Sequence, residues 1–220
     1  MPALFDILKT ITNIEISLRS GPAQRPAPTM AMLGRRILMG SMSIIEGNEL
    51  ILRHLTKADL NEFTSLVTDP MYGKFSPLGK ISETIAIQVV NHIVENYETN
   101  RYEFWVVVDK ENKRTVGFVG YHPVIFENRM HEMYFVAFKT KYWGSKFPEQ
   151  ATKYVCDYAF NREHIPKLIA FVHPEDTAAL MCAQILEAKF EKEAEFFGAS
   201  LFLFSIDKQG FSALNLPSNL

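Results

Sequence analysis

The chain has 220 residues, 47% hydrophobic and 22% charged, which suits one globular core with an appendage. A net charge of −2 gives no electrostatic reason to expect nucleic acid or an anionic membrane as a partner. No apolar run reaches the roughly 18 residues of a membrane helix. The two cysteines, Cys156 and Cys182, have no metal-type spacing and suit a reduced, cytoplasmic protein.

Residues 1–41 differ from the rest. Lys9, Arg19, Arg25, Arg35 and Arg36 against Asp6 and Glu15 give this stretch a net charge of +3, leaving −5 for the remainder. Leu4, Ile7, Leu8, Ile11 and Ile14 follow helical spacing, and Gly21 to Pro28 reads as a linker. The expectation is a peripheral leader that the fold does not need.

Strand signals begin at Leu50 to Leu55, where Ile51, Arg53 and Leu55 alternate with Leu50, Leu52 and His54. Thr56, with Asp59 three residues on, predicts a capped helix carrying Leu60, Phe63 and Val67 on one face. Asp69-Pro70 is read as its stop, followed by a loop through Gly73, Pro77 and Gly79. Ser82 opens a second helix marked by Ile85, Val89, Ile93 and Tyr97. Three strands follow, at Tyr102 to Val108, Thr115 to His122 and His131 to Phe138, the first two joined by a turn over Asp109 to Lys113. Ala151, Tyr154, Val155, Tyr158 and Ala159 then form a helical stripe. Lys167 to His173 reads as a strand, Thr177 to Ala188 as a helix, and Glu191 to Phe197 with Ser200 to Ser205 as a closing hairpin.

The most telling segment lies between the third of those strands and the striped helix. In Tyr142-Trp143-Gly144-Ser145-Lys146-Phe147-Pro148-Glu149-Gln150-Ala151, a short turn leads directly into a helix start. That arrangement gathers unbonded N–H groups and a partial positive charge at one place, and it suits a pyrophosphate. The segment resembles the acetyl-CoA loop of the GNAT acetyltransferases, above all the branch that acetylates ribosomal-protein N-termini such as those beginning with alanine. Tyr-Trp-Gly-x-Gly-Tyr-Ala-Thr-Glu-Ala is typical there. Leu52-Arg53-His54-Leu55-Thr56-Lys57-Ala58-Asp59 and Ala170-Phe171-Val172-His173-Pro174-Glu175-Asp176-Thr177-Ala178-Ala179 resemble two further phrases of the family, in the same order.

The resemblance implies an α/β (α+β) GNAT fold, a mixed and mostly antiparallel sheet flanked by helices. It places the domain at 42–208, between the leader and a tail at 209–220. It implies an N-acetyltransferase that moves an acetyl group from acetyl-CoA directly to a small amine or a protein N-terminus, and it leaves a homodimer open. No nucleic acid, membrane or metal is expected. Tyr134, Phe135, Val136 and Ala137 would lie along the pantetheine. Gly144, Ser145, Lys146, Phe147, Glu149 and Gln150 would surround the pyrophosphate, and Asp176 would begin the last family helix beside it. Glu132 matches a carboxylate that serves as base in the branch, with His131 as the competing base.

The segment also departs from the family. Lys146 stands where glycine is usual, and Pro148, which has no N–H to offer a phosphate, stands where glycine or alanine is usual. Lys146 then either supplies a cation in place of lost N–H bonds or marks a loop that has become an ordinary helix start. No tyrosine occurs in 177–190 to protonate a leaving thiolate, and Cys182 is the substitute the region offers. The alternative reading is therefore a catalytically degenerate GNAT-fold module that binds a CoA-like ligand or a protein partner.

Overall fold

The computed structural model describes residues 44–96 and 103–212. The predicted leader, Tyr97 and Tyr102 lie outside them. Among the described residues one eight-stranded sheet runs in the order β1-β2-β3-β4-β5-β6-β8-β7. β1 is Ile44–Glu46, β2 Leu50–His54, β3 Glu103–Asp109, β4 Thr115–Phe126 and β5 Arg129–Phe138. β6 is Lys167–Val172, β7 Lys189–Phe196 and β8 Ala199–Asp207. Every neighbouring pair is antiparallel except β5 and β6. This is the mixed, mostly antiparallel sheet that the sequence predicts.

Helices cover both faces. On one face α1 (Leu60–Val67) and α3 (Glu83–Asn96) bury Phe63, Leu66, Ala86 and Val90 against Phe104, Val106 and Phe118. On the other face α4 (Lys146–Asp157) and the π-turn Tyr158–Arg162 bury Ala151, Val155, Ala159 and Phe160 on Trp105, Val107 and Val119. α2 (Pro70–Phe75) and α5 (Thr177–Ile185) stand over the open end of the sheet, and α6 (Lys208–Ser212) follows β8. Phe211, within the stretch assigned to the tail, is buried with its ring 5.3 Å from Phe160. No helix among the described residues is long and apolar enough to cross a membrane.

Local chemistry explains most of the boundaries. Asp59 accepts from the Thr56 N–H at 2.9 Å and holds the Arg53 fork at 2.8 and 2.6 Å, so one carboxylate ties β2 to the start of α1. Burial opposes its charge, but the bonds to Arg53 and Thr56 outweigh it and hold the carboxyl below its ordinary range. In α3 the buried face is Ala86, Val90 and Ile93, one position on from the predicted Ile85 and Val89, which are half-buried.

The loop read after Asp69-Pro70 and the link between β4 and β5 are both ordered. Asp69 does not simply end α1; its carboxylate accepts from the Met71 N–H at 2.7 Å, and Pro70 at the first position starts α2. Residues 125–129 are the end of a hairpin, with Phe126 paired to Arg129 across a two-residue turn. Glu127 and Asn128 take φ of 48° and 59° there, the left-handed pair that suits the twist of a tight hairpin. Pro123 lies in β4 beyond the last described β3 pair, Glu103↔Tyr121.

Candidate acetyl-transfer site

The site begins with a strand that has one occupied edge. The Lys139 N–H donates to the Val116 carbonyl, extending the ladder that pairs Gly117 with Phe138. Backbone alternation then turns the odd residues of β5 toward β4 and the even ones toward β6. β6 meets β5 only at Glu132↔Leu168 and Met133↔Ile169, after which the strands diverge. The Tyr134 N–H belongs to the Met133↔Ile169 pair, and beyond it the Tyr134 C=O and the N–H and C=O of Val136 face a gap. The next even carbonyl, Phe138, receives the Trp143 indole N–H at 2.9 Å, which anchors the following turn to the end of β5.

A cavity of about 250 Å³ occupies this gap. Even residues of β5 and β6, such as Tyr134 and Ala170, line it from the α4 face, and odd residues, such as Phe135 and Phe171, line it from the other. The cavity therefore passes through the sheet and has two differing mouths.

The first mouth lies between the N-termini of α4 and α5. Gly144 takes φ +73°, the left-handed conformation that lets the turn reverse into α4. Ser145 is the N-cap, but its hydroxyl donates to the Tyr142 carbonyl at 2.6 Å and caps no helical N–H. The N–H groups of Lys146 and Phe147 thus begin the helix without a side-chain cap, while Pro148 contributes none. Tyr134 fixes this helix start to β5. Its hydroxyl donates to Thr152 Oγ1 at 2.7 Å, which donates to the Pro148 carbonyl at 2.7 Å. Burial raises the Tyr134 phenol well above its ordinary range, so it stays protonated.

The predicted cofactor residues divide between the cavity and its surroundings. Tyr134, Phe135, Val136, Ala137, Gly144 and Ser145 line it, as do Glu149 and Asp176. The side chains of Lys146, Phe147 and Gln150 lie elsewhere. Lys146 Nζ pairs with Glu49, and Gln150 Nε2 donates to the same carboxylate at 2.9 Å. Phe147 packs edge-on to Tyr142, their centroids 5.7 Å apart. Lys146 has no positive φ, so this turn takes its left-handed residue from Gly144 and asks no glycine of position 146. Asp176 caps α5 by accepting from the Ala179 N–H at 3.0 Å.

The model of the acetyltransferase (GNAT) domain matches residues 49–189 of this sequence. The chain belongs to the GNAT acetyltransferase family. Members of that family use acetyl-CoA. An uncharacterized N-acetyltransferase, p20 of Bacillus licheniformis, is 24% identical over 156 residues, covering 69% of this chain and 84% of that protein. The spermidine N-acetyltransferase of Vibrio cholerae, solved with CoA and spermine, superposes with a TM-score of 0.62 at 18% identity, over 76% of this chain and 99% of that one. A ribosomal-protein-S5-alanine acetyltransferase from Vibrio fischeri gives 0.61 at 17%, over 76% and 97%. At such identities the solved structures establish the shared fold.

Within this GNAT fold the two candidate bases lie on opposite faces of β5, and neither lines the cavity. Glu132 is buried on the α4 face, in the pair before the last one that precedes the gap. His131 is on the other face, its ring 6.3 Å from Phe126. Burial first, then Lys167, holds its pKa below the ordinary histidine range. Cys182 does line the cavity, and burial, then Asp176, raises its thiol to about 11.

Sequence reading missed Tyr72, Phe75, Met133, Phe171 and His173, all in the cavity wall. Tyr72 and Phe75 stand three apart after an Asp-Pro cap, a signal for one helical face that the loop reading of 70–82 concealed.

Proposed function

We propose that this protein transfers an acetyl group from acetyl-CoA to an amine, a small molecule or a protein N-terminus, in a single ternary complex. The observation that carries the reading is the open edge of β5. The Tyr134 C=O and the Val136 N–H and C=O, beyond the last β5–β6 pair, face a cavity that crosses the sheet and opens at an uncapped helix start. Bound acetyl-CoA supplies the acyl group as a thioester.

This chain's residues divide the remaining work. The Tyr134 and Val136 backbone aligns the pantetheine arm as a neighbouring strand would. The Lys146 and Phe147 N–H groups meet the pyrophosphate at the positive end of α4. Glu132, just behind the apex of the gap, takes one proton from the acceptor ammonium through intervening water, which frees the amine lone pair to attack the thioester carbon. The Cys182 thiol, kept protonated by burial, supplies a proton to the departing sulfur. The C–N bond forms as the C–S bond breaks, and the nitrogen then gives up its second proton, which returns through water to Cys182, while the first passes from Glu132 to solvent. The acyl group moves directly to the amine.

Two observations favour a second reading, a degenerate module that has kept the fold and lost efficient transfer. Pro148 deletes an N–H at the anion site, and Lys146 is engaged by Glu49. Calorimetric titration with acetyl-CoA, followed by a free-thiol assay over a panel of amines, separates the two. Binding with acceptor-dependent thiol release supports the enzyme. Binding without release supports the module, and absence of binding removes acetyl-CoA from both.

A further inference from the structure

Resting on the acetyl-transfer reading, the geometry points to an acceptor that is a compact monoamine carried on an aromatic or apolar body. The second mouth of the cavity is its site.

That mouth opens on the face opposite α4 and is walled by Tyr72 and Phe75 of α2, Met133 and Phe135 of β5, Phe171 of β6 and His173 just after it. α2 spans the diverging strands. The Phe75 ring lies 6.2 Å from Trp143, beyond the tip of β5, and 5.5 Å from His173, beyond the tip of β6. Lys74 pairs with Glu175 at 3.3 Å, closing the same bridge with opposite charges. Phe135 is backed by Phe104 in a stacked pair with centroids 5.0 Å apart, so its ring is held in place.

The charge inventory decides the class. Glu149 and Asp176 are the carboxylates in the cavity wall, and both belong to the first mouth. Glu149 is bonded to Lys153 at 2.9 Å, and Asp176 caps its own helix. Among the described residues the aromatic mouth has no carboxylate in its wall to neutralise a second or third ammonium. Its ionisable groups stay uncharged or engaged. Burial raises the Tyr72 phenol to about 12, and His173 Nδ1 accepts the Glu175 N–H at 3.1 Å. A polyamine would leave several cations in an apolar slot without counter-ions, which is costly. A single ammonium is tolerated, because aromatic faces attract one cation and apolar surroundings favour its deprotonation to the attacking amine. Size agrees: about 250 Å³ serves both the thioester end and the acceptor, leaving room for one ring and a short arm.

The test compares phenethylamine, spermidine and a hydrophilic alanine-initiated peptide as acceptors for the full chain, with acetyl-CoA saturating. Saturation-transfer NMR reads amine binding directly, with and without acetyl-CoA. The expected result is a kcat/KM for phenethylamine about 10²-fold above spermidine. Phe75→Ala should raise the phenethylamine KM about tenfold while the acetyl-CoA Kd stays constant. Spermidine or the peptide matching phenethylamine would overturn the inference, and so would no detectable amine binding in either state. Phenethylamine binding without any acetyl-CoA binding would uphold the acceptor class and sink the acetyl-transfer reading.

Discussion

Strand β5 has two edges built from the same backbone, and the molecule treats them oppositely. Toward β4 the pairing is unbroken from Phe126↔Arg129 to Gly117↔Phe138, and toward β6 it stops after Met133↔Ile169. The closed edge is a structural ladder whose N–H groups are committed. The open edge keeps its groups for something outside the chain, and cavity, helix start and aromatic mouth all gather around it. An edge strand left unpaired in the middle of a sheet is otherwise a liability. Stability should therefore be concentrated on one side of β5 and function on the other, and that separation is testable.

The largest effect belongs to the closed side. A Cβ on Gly120 would come within 2.1 Å of the Glu103 carbonyl oxygen, so the β3–β4 backbone would have to move. Gly120→Ala should lower unfolding free energy by upwards of about 3 kcal/mol, measured by chemical denaturation. A near-wild-type midpoint would mean that the closed half is more plastic than its register suggests.

Next comes a pair of proline substitutions that interrogates the two edges one residue apart. By the alternation above, the Ala137 N–H serves the β4 ladder and the Val136 N–H faces the gap. Ala137→Pro should cost about 3 kcal/mol through an unpaired Phe118 carbonyl and local misfit. Val136→Pro should cost on the order of 1 kcal/mol in stability, yet weaken acetyl-CoA binding. If both variants melt alike and both still bind, the open edge has no separate role.

How much of this was legible beforehand follows the same division. The closed side speaks through local pattern: alternation in β2, the apolar run of β3, the Thr56–Asp59 cap and the Ala151 to Ala159 stripe are each legible within a short window. The open side depends on where strands part, and no single-strand pattern encodes divergence. Phe171 alternates as regularly as its neighbours in β6, yet it ends in a cavity wall. The turn before α4 was visible because glycine and an aromatic pair mark it. α2 was hidden because Asp69-Pro70 ends one helix and begins another with the same two residues. The Lys146–Glu49 pair joins residues 97 apart in sequence and had no local signal.

A fourth variant tests function near the apex, where the two edges meet. Glu132→Gln keeps the side-chain volume in the short paired stretch of β5 and β6 and removes its charge. If Glu132 is the base, acetyl transfer should fall by roughly 10²-fold with acetyl-CoA affinity unchanged. Equal activity would take Glu132 out of the mechanism and leave His131 or water in its place.

The smallest predicted effect lies at the anion end, where the comparison becomes quantitative. Pro148 stands third in α4, where the N–H has no intrahelical partner, so restoring it costs the helix nothing. A hydrogen bond from that N–H to a charged phosphate contributes about 1.5–3 kcal/mol, partly offset by the freedom that proline removes from the unbound chain. Pro148→Ala should therefore tighten acetyl-CoA binding by about tenfold, equivalent to about 1.4 kcal/mol, read by calorimetry. Lys146→Gly separates the roles of its neighbour. Because Lys146 is held by Glu49 and its backbone needs no left-handed conformation, its removal should change affinity by less than about threefold. A large loss that shrinks at high salt would instead show that the ammonium leaves Glu49 for the phosphate when the ligand arrives. In that case the open side reorganises on binding while the closed side of β5 holds its register.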